Sequence, residues 1–231
     1  MANLQASDKA PVRAVQRAFD LLALLGARSA SASLSELARE SALAVSTAAR
    51  LLSALEHSGF VRRDSTGRFS PGTRLMQVGL ASLRASSLYD LSEPYLRRLS
   101  EASGETANLA VRADARHAMY LRQVVSPRSI HHASWLGRML PLSTTAVGAV
   151  LSGKASDPGY IVRRNSMEPD VTAIAAPVFG SGGEIVAAFS ITGPSFRIAE
   201  KDVKRFGALV IAQARRASEE FGSLSAQRLQ R

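Results

Sequence analysis

The chain has 231 residues, 46% hydrophobic and 21% charged, a globular balance that excludes a disordered chain and leaves room for one large domain or two small ones. It contains no cysteine, which excludes disulfides, thiolate chemistry and cysteine-bound zinc or iron–sulfur centres. The net charge of +10 favours a polyanionic partner, while the lack of a long apolar run and the polar stretch Met1 to Pro11 predict no membrane span, no export segment and a cytoplasmic location.

The N-terminal third reads as three helices and a hairpin. The first helix runs from about Val12 to Leu25, with Val15, Ala18, Phe19, Leu22 and Leu25 at spacings of three and four, and Gly26 ends it. After a small-residue loop, Ala27 to Ala32, Ser33 and Glu36 have the spacing of a capping box. The short helix they open uses Leu34, Leu37 and Ala38 and stops near Glu40. A third helix follows in "AVSTAARLLSALEHSGF". Ala48, Leu51, Leu52 and Leu55 fall on one side of it, and Ser46, Arg50, Ser53 and His57 on the other. Gly59 is placed to cap it. "FVRRDSTGRFSPG" then alternates around a turn from Asp64 to Gly67.

Pro71-Gly72 marks a boundary, and Thr73 opens a linking helix. The next helix is predicted from Leu91 to Ser103, with Pro94 tolerated in its first turn. "TANLAVRADARHAMYLRQVV" reads as two strands around Ala113 to Arg116, and "IHHASWLG" as a third. "PLSTTAVGAVLSG" begins as loop and becomes a helix of small residues. "DVTAIAAPVFGSGGEIVAAFSITGP" is a hairpin turning at Gly180 to Gly183. A long amphipathic helix closes the chain, with Val203, Phe206, Leu209, Val210 and Ala214 inward. The fold class is α+β.

Helix, turn, helix, hairpin is the winged helix-turn-helix pattern, whose second paired helix lies in the major groove. Small polar residues at the start of that helix allow close approach to bases. The hairpin arginines Arg62, Arg63 and Arg68 would meet phosphates. Arginine outnumbers lysine 25 to 4, and its planar fork suits such contacts, though a genome-wide bias gives the same excess. The alternative is a plain three-helix bundle with a solvated hairpin.

Four stretches now carry a family resemblance. They are "VQRAFDLLALL", "LSELARESALAVSTAARLLSALEHSGFVRRDSTGRFSPGTRL", "LPLSTTAVGAVL" and "IAAPVFGSGGEIVAAFSITGP", in that order. Together they resemble the IclR family of bacterial transcriptional regulators, over nearly the whole chain. The resemblance implies a winged helix-turn-helix DNA-binding domain at 10–72, a linking helix at 73–87 and a GAF-like α/β effector-binding and oligomerisation domain at 88–225. It implies homodimers or homotetramers on palindromic double-stranded DNA operators, modulated by a small-molecule effector, which we expect to be a carboxylate or aromatic acid. It implies no cofactor, no catalytic residue and no metal site.

The recognition-helix match is strongest at Ser46, Thr47, Arg50, Leu51 and Leu52. Val45 stands where the family often has a basic residue, and Ala49 where it has a polar or aromatic one. The DNA-contact candidates are therefore Ser46, Thr47, Ala49, Arg50, Ser53, Arg62, Arg63 and Arg68. Val45 and Ala49 either touch thymine methyls or mark relaxed readout. In the second domain the resemblance puts effector contacts at Leu140, Ala146, Val147, Ala173, Ser190 and Thr192. Ser190 and Thr192 are two apart on a strand, so both hydroxyls share one face, which is either the pocket or solvent.

The chain departs from the family at "LSGKASDPGYIVRRN", where two helices are replaced by Ser152 to Pro158. That leaves the pocket more open, closed by another subunit, or without function. Nearby, Arg164 suits a carboxylate ligand bidentately; the alternative is an exposed strand arginine. Adjacent His131 and His132 would face opposite sides of a strand, unsuitable for one metal. Gly180 to Gly183 joins two strands, so it is a turn rather than a phosphate loop. Trp135 is read as packing. Two rival readings remain: a ligand-independent DNA-binding or assembly protein, and an enzyme on the GAF-like domain, which lacks a nucleophile–base set.

Overall fold

The computed structural model describes residues 12–28, 30–131, 134–155 and 157–229, with backbone only at residues 85 and 224–229. Two compact units divide at Ala85 and Ser86.

The first unit contains α1 (Arg13–Gly26), α2 (Leu34–Glu40), α3 (Val45–His57), the antiparallel pair β1 (Val61–Arg63) and β2 (Phe69–Pro71), and α4 (Thr73–Ala85). Its core gathers Leu21, Leu22, Leu25, Leu37, Leu52, Val61 and Phe69. The capping box at the start of α2 forms as its spacing predicts. The Glu36 carboxylate accepts from the Ser33 amide at 2.6 Å, and the Ser33 hydroxyl accepts from the Glu36 amide at 3.3 Å. That amide bond, with smaller help from Arg68 and Arg28, holds the Glu36 carboxyl below its usual pKa. Gly59 follows α3 at φ +76°, the left-handed conformation that lets the chain leave the helix.

One face of α1 differs from its prediction. Leu21, Leu22 and Leu25 are buried, but Val15 is 50% and Phe19 60% exposed. The helix turns its Leu21 side inward and leaves Val12, Val15 and Phe19 outside the core.

The second unit is a six-stranded antiparallel sheet in the order β5-β4-β3-β8-β7-β6. Its strands are β3 (Thr106–Arg112), β4 (His117–Val124), β5 (Met139–Pro141), β6 (Ile161–Arg164), β7 (Val171–Phe179) and β8 (Ile185–Pro194). Helices α5 (Ser87–Ser103) and α7 (Glu200–Leu229) cover one face, and α6 (Ala146–Leu151) the other. Period-two alternation therefore feeds two cores. Ile174, Phe189 and Ile191 point to α5 and α7, while Ala175 and Ala188 point to α6.

Two elements correct the sequence reading. The helix expected from Leu91 starts at Ser87, so Pro94 lies inside it rather than in its first turn. Proline has no amide to donate, so the helix absorbs one missing bond there while Tyr95, Leu96 and Leu99 keep it packed. The strand expected over residues 130–137 does not form among its described residues; its backbone meets β4 at an isolated Tyr120–Leu136 bridge. The ladder on that edge is taken by Met139–Pro141. His132 and the facing of its pair lie outside the described residues.

Candidate nucleic-acid interface and effector site

The first unit presents its candidate contacts from two elements. On α3, Ala48 and Leu52 are fully buried, which fixes the helix by its inner side. Ser46, Arg50 and Ser53 are exposed, Thr47 and Ala49 half-buried, and Val45 is 53% exposed. Ala44 occupies the N-cap and offers no side-chain cap, so the first turn of α3 keeps amides open to an outside acceptor. Among the described residues no carboxylate pairs with Arg50.

The hairpin arginines divide into two kinds. Arg62 and Arg63 are exposed. The Arg62 Nε donates to Ser70 Oγ at 2.9 Å, and Arg63 donates to the Gly67 carbonyl at 3.3 Å while lying over the Phe69 ring. These short tethers engage the Nε atoms and hold the stems. Arg68 turns inward instead. It donates to the Ser31 carbonyl at 2.6 Å, to the Ser31 hydroxyl at 3.2 Å and to the Glu36 carboxylate at 3.1 Å. These bonds tie the hairpin to the α2 cap and engage the nitrogens that a phosphate contact would use. We expect Arg68→Ala to weaken DNA binding with an unchanged salt slope. Arg62→Ala should lower the slope of log K against log salt by about 1, the signature of one lost phosphate contact. Affinity measured across a salt series for both variants checks this.

In the second unit, the parity of the strands sorts the effector candidates. Leu140, Ala146 and Val147 are buried together in the core under α6, with Ala173 packed against them. Ala173 stands opposite Thr192, and Ala175 opposite Ser190, so both hydroxyls lie on this same face. They are fully buried, not solvent-facing. Asn108 donates to Thr192 at 3.0 Å and to Ser190 at 3.4 Å, and Gln123 donates to the Asn108 carbonyl oxygen at 2.7 Å. Tyr120 joins through Ser190; burial pushes its phenol up to about 12, and the Ser190 bond offsets part of that rise. The sequence reading missed Asn108 and Gln123. An asparagine at the middle of an apolar strand was the available signal.

Arg164 does not join this group. It pairs with Thr172 across β6 and β7, one parity away from Ala173. Its guanidinium donates to Thr172 at 3.0 Å, to the Ile198 carbonyl at 3.2 Å and to Glu200 at 3.2 Å, on the α7 side.

The space beside Ala146 and Ala173 is filled from within. Trp135 is 3% exposed and stacks on Tyr120 with ring centroids 6.2 Å apart and planes 7° apart. Its indole N–H donates to Glu168 at 3.1 Å, and Arg138 holds the same carboxylate at 3.0 Å. A void of about 10 Å³ remains between Trp135, Thr145, Ala146, Met167 and Ala173, room for no more than a single water.

Residues 14–65 match the IclR helix-turn-helix domain model, and residues 80–158 and 153–219 match the C-terminal domain model of the bacterial transcriptional regulator IclR. The HTH-type transcriptional regulator BhcR of Paracoccus denitrificans is 31% identical, over 93% of this chain and 89% of its own. The IclR crystal structure from Thermotoga maritima shares the fold with a TM-score of 0.70 at 24% identity, covering 91% of this chain and 99% of that one. An IclR homolog from Microbacterium hydrocarbonoxydans, solved with 4-hydroxybenzoate, shares it with a TM-score of 0.75 at 19% identity, over 91% and 99%. The alignment with BhcR spans 252 positions, more than the 231 residues of the chain, so relatives carry segments that this chain lacks. The C-terminal match comes in two pieces that meet at 153–158, within the shortened stretch. With both domain models matched in order along one chain, the protein belongs to the IclR family of bacterial transcriptional regulators.

Proposed function

We propose that this regulator binds a palindromic operator as a homodimer or homotetramer, with Ser46, Thr47, Ala49, Arg50 and Ser53 in the major groove and Arg62 and Arg63 on the backbone. The observation that carries the reading is the division of α3, whose Ala48 and Leu52 are locked inward while its other side holds an exposed Arg50, without an ion pair among the described residues, amid small polar residues. Self-association is supported by apolar side chains left outside the core: Val12 before α1, Val15 and Phe19 on α1, and Met76, Val78 and Leu80 on α4. Two such copies present two recognition helices, which is what a palindrome requires. Cytoplasmic action on DNA follows from the same reading. Footprinting on the DNA upstream of the chain's own reading frame tests it. Arg50→Ala should weaken operator binding about 10-fold to 100-fold, the loss of one good arginine contact at 1–3 kcal/mol. Equal footprints for the two proteins would sink the assignment of Arg50.

The effector site of this reading is the α6 face of the sheet, where Leu140, Ala146, Val147 and Ala173 form apolar walls and Ser190 and Thr192 supply hydroxyls. A small carboxylate or aromatic acid suits that lining, and the likeness to the 4-hydroxybenzoate complex supports an aromatic acid. Such a ligand takes the place of Trp135. Arg164 takes part only after leaving Glu200, because it faces α7. The filled cavity also favours a second reading, in which the domain holds the oligomer together without an effector. A thermal-shift screen of carboxylates and hydroxybenzoates separates the two, since a ligand bound to the folded state raises its midpoint.

A further inference from the structure

A second, open groove lies at the end of the sheet where the β3–β4 turn meets the loop after α6, and it encloses about 680 Å³. We propose that this groove binds a small multivalent anion, a polycarboxylate or a phosphorylated metabolite, through Arg112, Arg116 and Lys154. It does not depend on the operator or on the site filled by Trp135.

Three cations reach the groove from separate pieces of chain. Arg112 ends β3, Arg116 lies in the turn before β4, and Lys154 lies in the loop after α6. All three are exposed. Among the described residues no carboxylate forms an ion pair with any of them. The acid in the same turn, Asp114, is spent locally. It accepts from the amides of Arg116 at 2.7 Å and His117 at 2.8 Å, and from the His117 ring at 3.0 Å. Those bonds, the Arg116 amide first, hold its carboxyl below the usual range, so it stays an anion turned to its own turn. The Arg112 guanidinium is held in place by donating to the Leu151 carbonyl at the end of α6. Like charges gathered in this way repel one another, and a multivalent anion relieves that repulsion at every arm.

The shape selects a small molecule. A volume of this size is in the range of metabolite sites, and Pro141 and Leu142 give one wall an apolar face. Ser152 and Lys154 flank or fall within the stretch where the two pieces of the family match meet.

Titration calorimetry on the full chain, at constant ionic strength, tests the proposal with citrate, inorganic pyrophosphate and acetate. Citrate or pyrophosphate should bind at least tenfold more tightly than acetate, and the tighter of the two identifies carboxylate or phosphate chemistry. Arg116→Gln with Lys154→Gln should weaken binding about tenfold or more, with the ligand-free melting midpoint kept because both side chains are exposed. Arg62→Ala with Arg63→Ala, in the other unit, should leave it unchanged. The proposal fails if acetate matches both polyanions, if neither polyanion binds, if the Arg116/Lys154 variant binds like wild type, or if the wing variant loses the binding.

Discussion

Glu105→Ala is expected to lower the unfolding midpoint of the sheet-bearing unit by about 10 °C, from a loss of about 3–5 kcal/mol. Glu105 is 2% exposed. Arg197 grips it bidentately at 2.7 and 2.8 Å, and Arg128 approaches at 3.6 Å. The same Arg197 donates to the Ile130 carbonyl at 2.8 Å, so one guanidinium ties the bend entering β3, the loop after β4 and the turn after β8. Hydrogen bonding to Glu105 raises the pKa of Arg197 further, so the guanidinium stays charged. Gly193 makes the room: a Cβ there would stand 2.5 Å from the Glu105 carboxylate. Removing the carboxylate leaves a mostly buried guanidinium without its counter-charge, and that is the source of the size of the effect. The chain's single tryptophan lies in this unit, so its fluorescence reads the transition directly. A drop below about 2 °C would show that Arg197 finds water or another acceptor at little cost.

Trp135→Ala should cost a similar amount, about 3–5 kcal/mol, because it empties a packed site against Tyr120, Ala146 and Ala173. It should also create a binding property. Indole or 4-hydroxybenzoate should raise the midpoint of the variant by several degrees and that of the wild type by much less. Circular dichroism is the readout, since the substitution removes the fluorophore. A wild-type protein that gains as much as the variant would mean that the indole swings aside for ligand, and that the packed state is one of two arrangements.

Much of the fold is legible because its signals are local. Ser33 and Glu36 announce α2 through two bonds within one turn. The β7–β8 hairpin is announced by apolar runs around Gly180 to Gly183. What escaped the sequence depends on partners far along the chain. Pro94 resembles a helix start, but the helix begins four residues before the predicted Leu91, about one turn further upstream, and Tyr95, Leu96 and Leu99 keep it packed beyond the proline. Residues 130–137 have strand-like composition, yet the edge of β4 is given to Met139–Pro141.

The site shows the same limit. Period two places Ser190 and Thr192 on one face without any knowledge of β3, and Asn108 is what makes that face a buried polar group. For Arg164 the deciding fact is a single step of register against β7, which sends it to α7 instead of α6. Arg62, Arg63 and Arg68 look alike in sequence. Ser31, 37 positions away from Arg68, separates them.

That contact bears on how DNA specificity in this protein can be rewritten. Glu36 closes the α2 cap and also receives Arg68 from the hairpin, so the pitch of the wing is set by α2. The exposed side of α3 takes no part in this joint. Under the proposed reading, Ser46, Thr47, Ala49, Arg50 and Ser53 are therefore interchangeable lettering on a fixed type-block. A graft that imports a foreign α2 changes the angle at which the whole block is pressed.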